Sequence, residues 1–231
     1  LSSKQHKKID NENVFHDMKY PATFLNTLIA TVIGTLGIIV IASMGGYKMA
    51  RVKTRYSRFC FLFCIAPMMI PFQSFMLTLV NVATTLHING KIWGLAIIYW
   101  GLGAPMSIFL YQGFAKGIPL ELEESALIDG CNQFQLFTRI IFPMLKSCTA
   151  TVTIINVMWI WNDFLLPLLM LGGRKSSKTL QLAAYSFMGQ YKMEWQNIMS
   201  AAILIIIPAL ILYLIFQKSI IKGVVAGAVK G

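Results

Sequence analysis

The chain has 231 residues, of which 56% are hydrophobic and only 13% are Asp, Glu, Lys or Arg. That balance excludes an ordinary water-soluble domain, in which about a quarter of residues are charged, and makes a lipid bilayer the better solvent. A net charge of +11 in a soluble protein would suggest nucleic acid, but here the basic residues fall between apolar stretches. Topology therefore accounts for them, and no nucleic-acid partner is predicted.

Residues 1–19 are polar and mixed in charge with no apolar periodicity, which predicts an extracytoplasmic tail or connector with little structure of its own. Residues 20–231 read as one transmembrane domain, all-α, without an internal repeat or low-complexity run. A helical span needs about 20 consecutive apolar residues. No Lys, Arg, Asp or Glu occurs from Tyr20 to Tyr47, Phe59 to Gly90, Ile92 to Ala115 or Trp195 to Gln217, and only Asp163 interrupts Ser147 to Gly173. These stretches predict a helical bundle with five spans.

The first span is expected over Pro21–Tyr47, where Gly34, Gly37, Gly45 and Gly46 offer small surfaces for close helix contact. Pro67 and Pro71 fall in the second, Pro105 in the third, Pro167 in the fourth and Pro208 in the fifth, each a site where a membrane helix can kink. Between the first two spans lie Lys48, Arg51, Lys53, Arg55 and Arg58 with no acid, which assigns that loop to the cytoplasm. Alternation then puts the tail, the turn His87–Lys91 and the loop 173–195 outside, and residues 116–146 and the C-terminus inside. The chain starts at Leu1 and shows no secretory signal, so an outward N-terminus predicts at least one further span before it.

Cys60, Cys64, Cys131 and Cys148 fall in spans or on the inner side, where disulfides are not expected. Cys60 and Cys64 stand one helical turn apart and could share a metal, but no further ligand accompanies them, so packing is the expected role. His6, His16 and His87 are isolated. No Gly-x-x-x-x-Gly-Lys-Ser/Thr phosphate loop, Ser/His/Asp set or catalytic carboxylate pair is present, so neither an enzyme nor a cofactor site is predicted.

The segment from Gly117 to Pro143 reads as two short helices. Pro119 suits a first helical position, Glu121 and Glu123 suit the positive end of the macrodipole, and Gly130 suits the left-handed residue that ends the helix. A second helix fits Gln133–Phe142, with Pro143 ending it or starting the next span.

Glu124-Ser125-Ala126, then Asp129-Gly130, then nine residues, then Ile140-Ile141-Phe142-Pro143 resembles the EAA loop of bacterial ABC-importer permeases. That pattern reads Glu-Ala-Ala, two residues, Asp-Gly, nine residues, Ile, one residue, Leu-Pro; Ser125 and Phe142 depart from it and the spacing is intact. Phe24-Leu25-Asn26-Thr27, Trp161-Asn162 and the ending Gly223 to Gly231 are similar to the carbohydrate branch, the maltose-type and multiple-sugar-type subunits. The resemblance implies a type I ABC importer permease fold, usually with six spans, and a multi-pass protein of the bacterial cytoplasmic membrane. It implies a second permease subunit in a heterodimer, an external solute-binding protein, and two ATPase subunits that bind ATP and Mg. Glu124, Ser125, Ala126, Asp129 and Gly130 would form the turn that docks on the ATPase, with Glu124 and Asp129 fixing the loop through hydrogen bonds or ion pairs. Ile140 and Pro143 would set the second helix against the membrane domain. A surface helix that merely anchors the loop is the alternative.

Asp163 is a carboxylate within an apolar run, which usually faces a cavity or a partner. With Trp159, Trp161, Asn162 and Asn156 it could line a route for a polar neutral solute, since aromatic faces stack on sugars and amides bind hydroxyls; equally, Trp161 to Pro167 could lie at an interface. Tyr99 and Trp100 are weaker members of that set. The expected cargo is a sugar, an oligosaccharide in particular; glycerol phosphate or a polyol, an ion-coupled transporter and an uncoupled channel or assembly subunit are the alternatives.

Overall fold

The computed structural model describes residues 11–172, 177–188 and 195–228. His6, residues 173–176 and 189–194 of the external loop and the last three residues of the Gly223–Gly231 ending lie outside the described residues. The order is α1 (Asn11–Asp17), α2 (Tyr20–Arg51), α3 (Arg55–Ile65), a 3₁₀ turn (Ala66–Met69), α4 (Phe72–Thr85), α5 (Ile92–Lys116) and α6 (Leu120–Ile128). There follow α7 (Gln133–Gln135), a π-helical stretch (Leu136–Ile141), α8 (Phe142–Met144), α9 (Lys146–Asn162), α10 (Leu165–Leu171), α11 (Leu180–Tyr185) and α12 (Trp195–Ala228).

The bundle is organised around α2 and α5, among the described residues the two single helices long and apolar enough to cross a bilayer, which pack along most of their length. On α2, Ala30, Gly34, Ile38, Ala42, Gly46 and Ala50 recur at every fourth position and all are buried. This narrow, mostly small-residue stripe admits Tyr99, Gly103, Tyr111 and Ala115 of α5. Lipid tails are as apolar as the helices, so close van der Waals contact holds such a pair together. A Cβ at Gly46 would lie 2.7 Å from Tyr111 Cβ and 3.0 Å from the Gln112 backbone nitrogen. The helix runs past the expected Tyr47 to Arg51, whose charge with that of Lys48 suits a helix C-terminus.

Two of the expected spans are broken. The second is α3 and the 3₁₀ turn followed by α4, bent by 107°. Pro71 forces the break: Ile70 before it is pushed to φ −98°, ψ 121°, and Pro71 becomes the N-cap of α4. In the fourth, α9 stops at Asn162 although the apolar run continues, Asp163 is extended at φ −70°, ψ 131°, and Pro167 falls in the separate α10. Asp163 is therefore at a helix break rather than inside a continuous span. Its Oδ1 accepts the Leu165 N–H at 3.1 Å, a local bond that competes with helix continuation. The segment Gln133–Met144 meets α9 at 74°.

The tail also departs from expectation, because Asn11–Asp17 is helical. Val14 and Met18, one turn apart, are each 2% exposed in a second core with Trp161, Leu180, Ala183, Phe187 and Ala201. The predicted outer loop likewise contributes α11 to that core.

Gly46→Val should overpack the α2–α5 contact and cost about 1–3 kcal/mol, read as a lower Tm of the purified protein in detergent. Gly45→Val is the control: its Cβ would meet nothing nearer than Ile108 at 4.0 Å, and its Tm should stay near that of the parent.

Candidate functional site

The hairpin is built by local chemistry. After α5, Pro119 stands as the N-cap of α6 at φ −58°, ψ 139°, one position before the helical place expected for it. At the far end Gly130 takes φ 86°, its N–H bonds Leu127 O at 3.1 Å, and Cys131 N–H bonds Ala126 O at 3.0 Å. This is a Schellman stop, which a left-handed glycine makes without Cβ strain. Asn132 and Gln135 then cap the second arm reciprocally, Asn132 Oδ1 accepting the Gln135 N–H at 2.8 Å and Gln135 Oε1 accepting the Asn132 N–H at 3.0 Å. The spacing Asn132-x-x-Gln135 is a capping signal readable from the residues alone.

One carboxylate roots the hairpin, and it is Glu123. It is 8% exposed; Tyr47 Oη donates to its Oε2 at 2.8 Å and Arg51 Nε to its Oε1 at 2.5 Å. Arg51 Nη2 also donates to the Ile118 carbonyl at 2.8 Å, at the start of the hairpin. The Tyr47 ring packs 5.7 Å from Phe137 on the second arm. The end of α2 thus grips both arms. Glu124 and Asp129, expected to fix the loop, are exposed and have no hydrogen-bonded or ion-paired side-chain partner among the described residues. Ser125 is exposed and Ala126 is buried. Ile140 packs against the core, whereas Pro143 is exposed, and Leu136, Ile141 and Leu145 provide the buried contacts. The outer surface of the hairpin presents Ile128, 84% exposed, and Phe134, 70% exposed.

The residues predicted for a solute route do not converge on one lining. Tyr99 Oη donates to Asp163 Oδ2 at 2.8 Å, and Trp159 meets the Tyr99 ring edge-on at 5.4 Å, so these three come together. Asn156 is buried and donates to Ser107 Oγ at 3.1 Å and Val152 O at 2.8 Å. Trp161 is buried in the second core against Phe24, while Asn162 is exposed and donates to Met158 O. Trp100 Nε1 bonds Ile33 O at 2.9 Å. With Tyr111 Oη donating to Thr149 Oγ1 at 2.9 Å, the pairs Tyr99–Asp163 and Ser107–Asn156 make a ladder joining α5 to α9.

Residues 34–225 match the model of a family described as the binding-protein-dependent transport system inner membrane component. The probable starch degradation products transport system permease protein of Thermoanaerobacterium thermosulfurigenes is 40% identical over 207 residues, 90% of this chain and 75% of the relative. The multiple sugar-binding transport system permease protein of Streptococcus mutans is 39% identical over 210 residues, 90% of this chain and 76% of the relative. The melibiose/raffinose/stachyose import permease protein of Bacillus subtilis is 34% identical over 210 residues, with the same two shares, 90% and 76%. Among solved structures, a chain of a bacterial ABC transporter involved in the import of the acidic polysaccharide alginate superposes with a TM-score of 0.75 at 22% identity, covering 90% of this chain and 78% of that one. A chain of a methionine ABC transporter in an inward-facing conformation gives a TM-score of 0.60 at 14% identity, covering 86% of this chain and 93% of that one.

Glu123→Gln should loosen the hairpin by about 2–3 kcal/mol, because a buried charged hydrogen-bond partner is removed. Hydrogen exchange of residues 118–131 should quicken in this variant, while Glu124→Gln leaves it at the parent rate.

Proposed function

The chain belongs to the family of binding-protein-dependent transport system inner membrane components, and on that premise we propose that it is a sugar permease subunit of an ATP-driven importer, with an oligosaccharide as cargo. As a permease component of an ABC importer it is a membrane protein and not itself an enzyme; ATP is hydrolysed by a separate ATPase. The relatives' names favour a sugar over the glycerol-phosphate, polyol and ion-coupled alternatives.

The observation that carries the coupling assignment is the hairpin itself. Its root is locked to α2, while its tip exposes Glu124, Asp129, Gly130, Ile128 and Phe134. A rigid, partly apolar tip is suited to seating in a cleft of a partner ATPase, and the lock passes the motion of that partner to the bundle. In this reading the hairpin and the C-terminus face the cytoplasm. A second permease subunit completes the pathway, two ATPase subunits hold ATP and Mg, and an external binding protein delivers the solute. The exposed Trp159 beside Tyr99 and Asp163 is the place where this chain meets the sugar, by stacking and hydroxyl hydrogen bonding.

Reconstituted with its partners, the complex should take up labelled oligosaccharide only with ATP inside the vesicle; uptake driven by an ion gradient alone would contradict the assignment. Gly130→Val places a β-branched side chain at φ 86°, costing about 1–3 kcal/mol of local strain, and should prevent copurification of the ATPase. In a cysteine-free background, Lys53→Cys in intact cells should resist a membrane-impermeant maleimide until the membrane is opened.

A further inference from the structure

At the inner end of the bundle the α2–α3 connection and the α5–α6 connection border a half-open cavity of about 1010 Å³, at the upper end of ligand-site sizes. Lys53, Arg55 and Arg58 line it from one side and Lys116 from the other, against a single acid, Glu121. All four of these cations are exposed, and none has a hydrogen-bonded or ion-paired side-chain partner among the described residues. Arg51 also borders the cavity, but Glu123 takes up its charge. Phe61 and Leu62 of α3 line the same space. On either side of them along α3, Phe59 and Phe63 are 65% and 70% exposed.

We propose that this cavity binds the phosphate headgroup of an anionic phospholipid of the inner leaflet. The arrangement is complementary to an amphiphile: unpaired cations on two walls for the phosphate, and an apolar strip leading away along α3 for the acyl chains. Basic pockets between membrane helices on the cytoplasmic side have this chemistry. A free phosphate has no use for the Phe61–Leu62 wall, and neither has an acidic protein surface. A lipid seated here touches the α5–α6 connection directly, so leaflet composition bears on the hairpin. The inference rests on the importer reading only for the side of the membrane on which the cavity lies.

The test is native mass spectrometry of the complete complex in detergent, titrated with phosphatidylglycerol or phosphatidylcholine. The parent should retain phosphatidylglycerol in preference. Arg58→Gln with Lys116→Gln should weaken that retention about thirtyfold, taking about 1 kcal/mol per cation. Lys48→Gln with Lys146→Gln, which removes equal charge from residues that do not line the cavity, should weaken it far less. Equal losses in the two double variants overturn the site in favour of general surface charge. Displacement of the lipid by millimolar inorganic phosphate at constant ionic strength overturns the lipid as ligand. Efficient crosslinking of Arg58→Cys to the ATPase in the assembled complex overturns it in favour of a protein contact. Retention is read without transport, so failure of ATP-driven uptake in the parent would sink the importer reading and leave this result standing.

Discussion

The carboxylate of Glu123, held by the Arg51 guanidinium and the Tyr47 hydroxyl, is the contact on which the rest of the hairpin end of the bundle depends. A charge in this position is costly to bury, and its attraction to one partner does little more than offset the desolvation. What the pairing secures is orientation. With both oxygens occupied, α6 has one seat on α2, and the second bond of Arg51 to Ile118 fixes where the hairpin leaves α5. Removing either partner leaves the other charge stranded, so the joint is stiff against small displacements.

Stiffness at the root has value only if the bundle behind it moves as a body. The stripe from Ala30 to Ala50 brings α2 against α5, and three hydrogen-bonded pairs tie α5 to α9. A push on the hairpin is therefore shared by three helices at once. The breaks in the helices fall at the edges of this unit: the 107° bend before α4, the 74° bend before α9 and the interruption at Asp163. Such a division between a rigid unit and its joints is what a rigid-body rotation between inward and outward states requires.

Much of this was legible in the residues. Charge-free runs located α2 and α5 because hydropathy is a sum over positions and both helices are unbroken. The same sum is blind to direction, so it ran through the bend at Ile70 and the stop at Asn162, although Pro71 was a visible breaker. The motif spacing drew attention to Glu124 and Asp129, yet the structural acid is Glu123. A face argument would have found it: Glu123 lies three positions before Ala126, on the one buried face of α6. Its partner Arg51 lies 72 residues away, a pairing no local pattern discloses. Trp159, Trp161 and Asn162 are neighbours in sequence and part company in space, because successive positions on a helix face different ways.

The central claim is that the hairpin and α2 travel together. Spin labels at Lys48 and Leu127, both exposed, report it directly in the assembled transporter by electron–electron double resonance. The distance between them should be the same in the nucleotide-free and ATP-trapped states, while the distance from Leu127 to a label on the second permease subunit changes. A shift of about one helical turn, ~5 Å, between Lys48 and Leu127 would contradict the account.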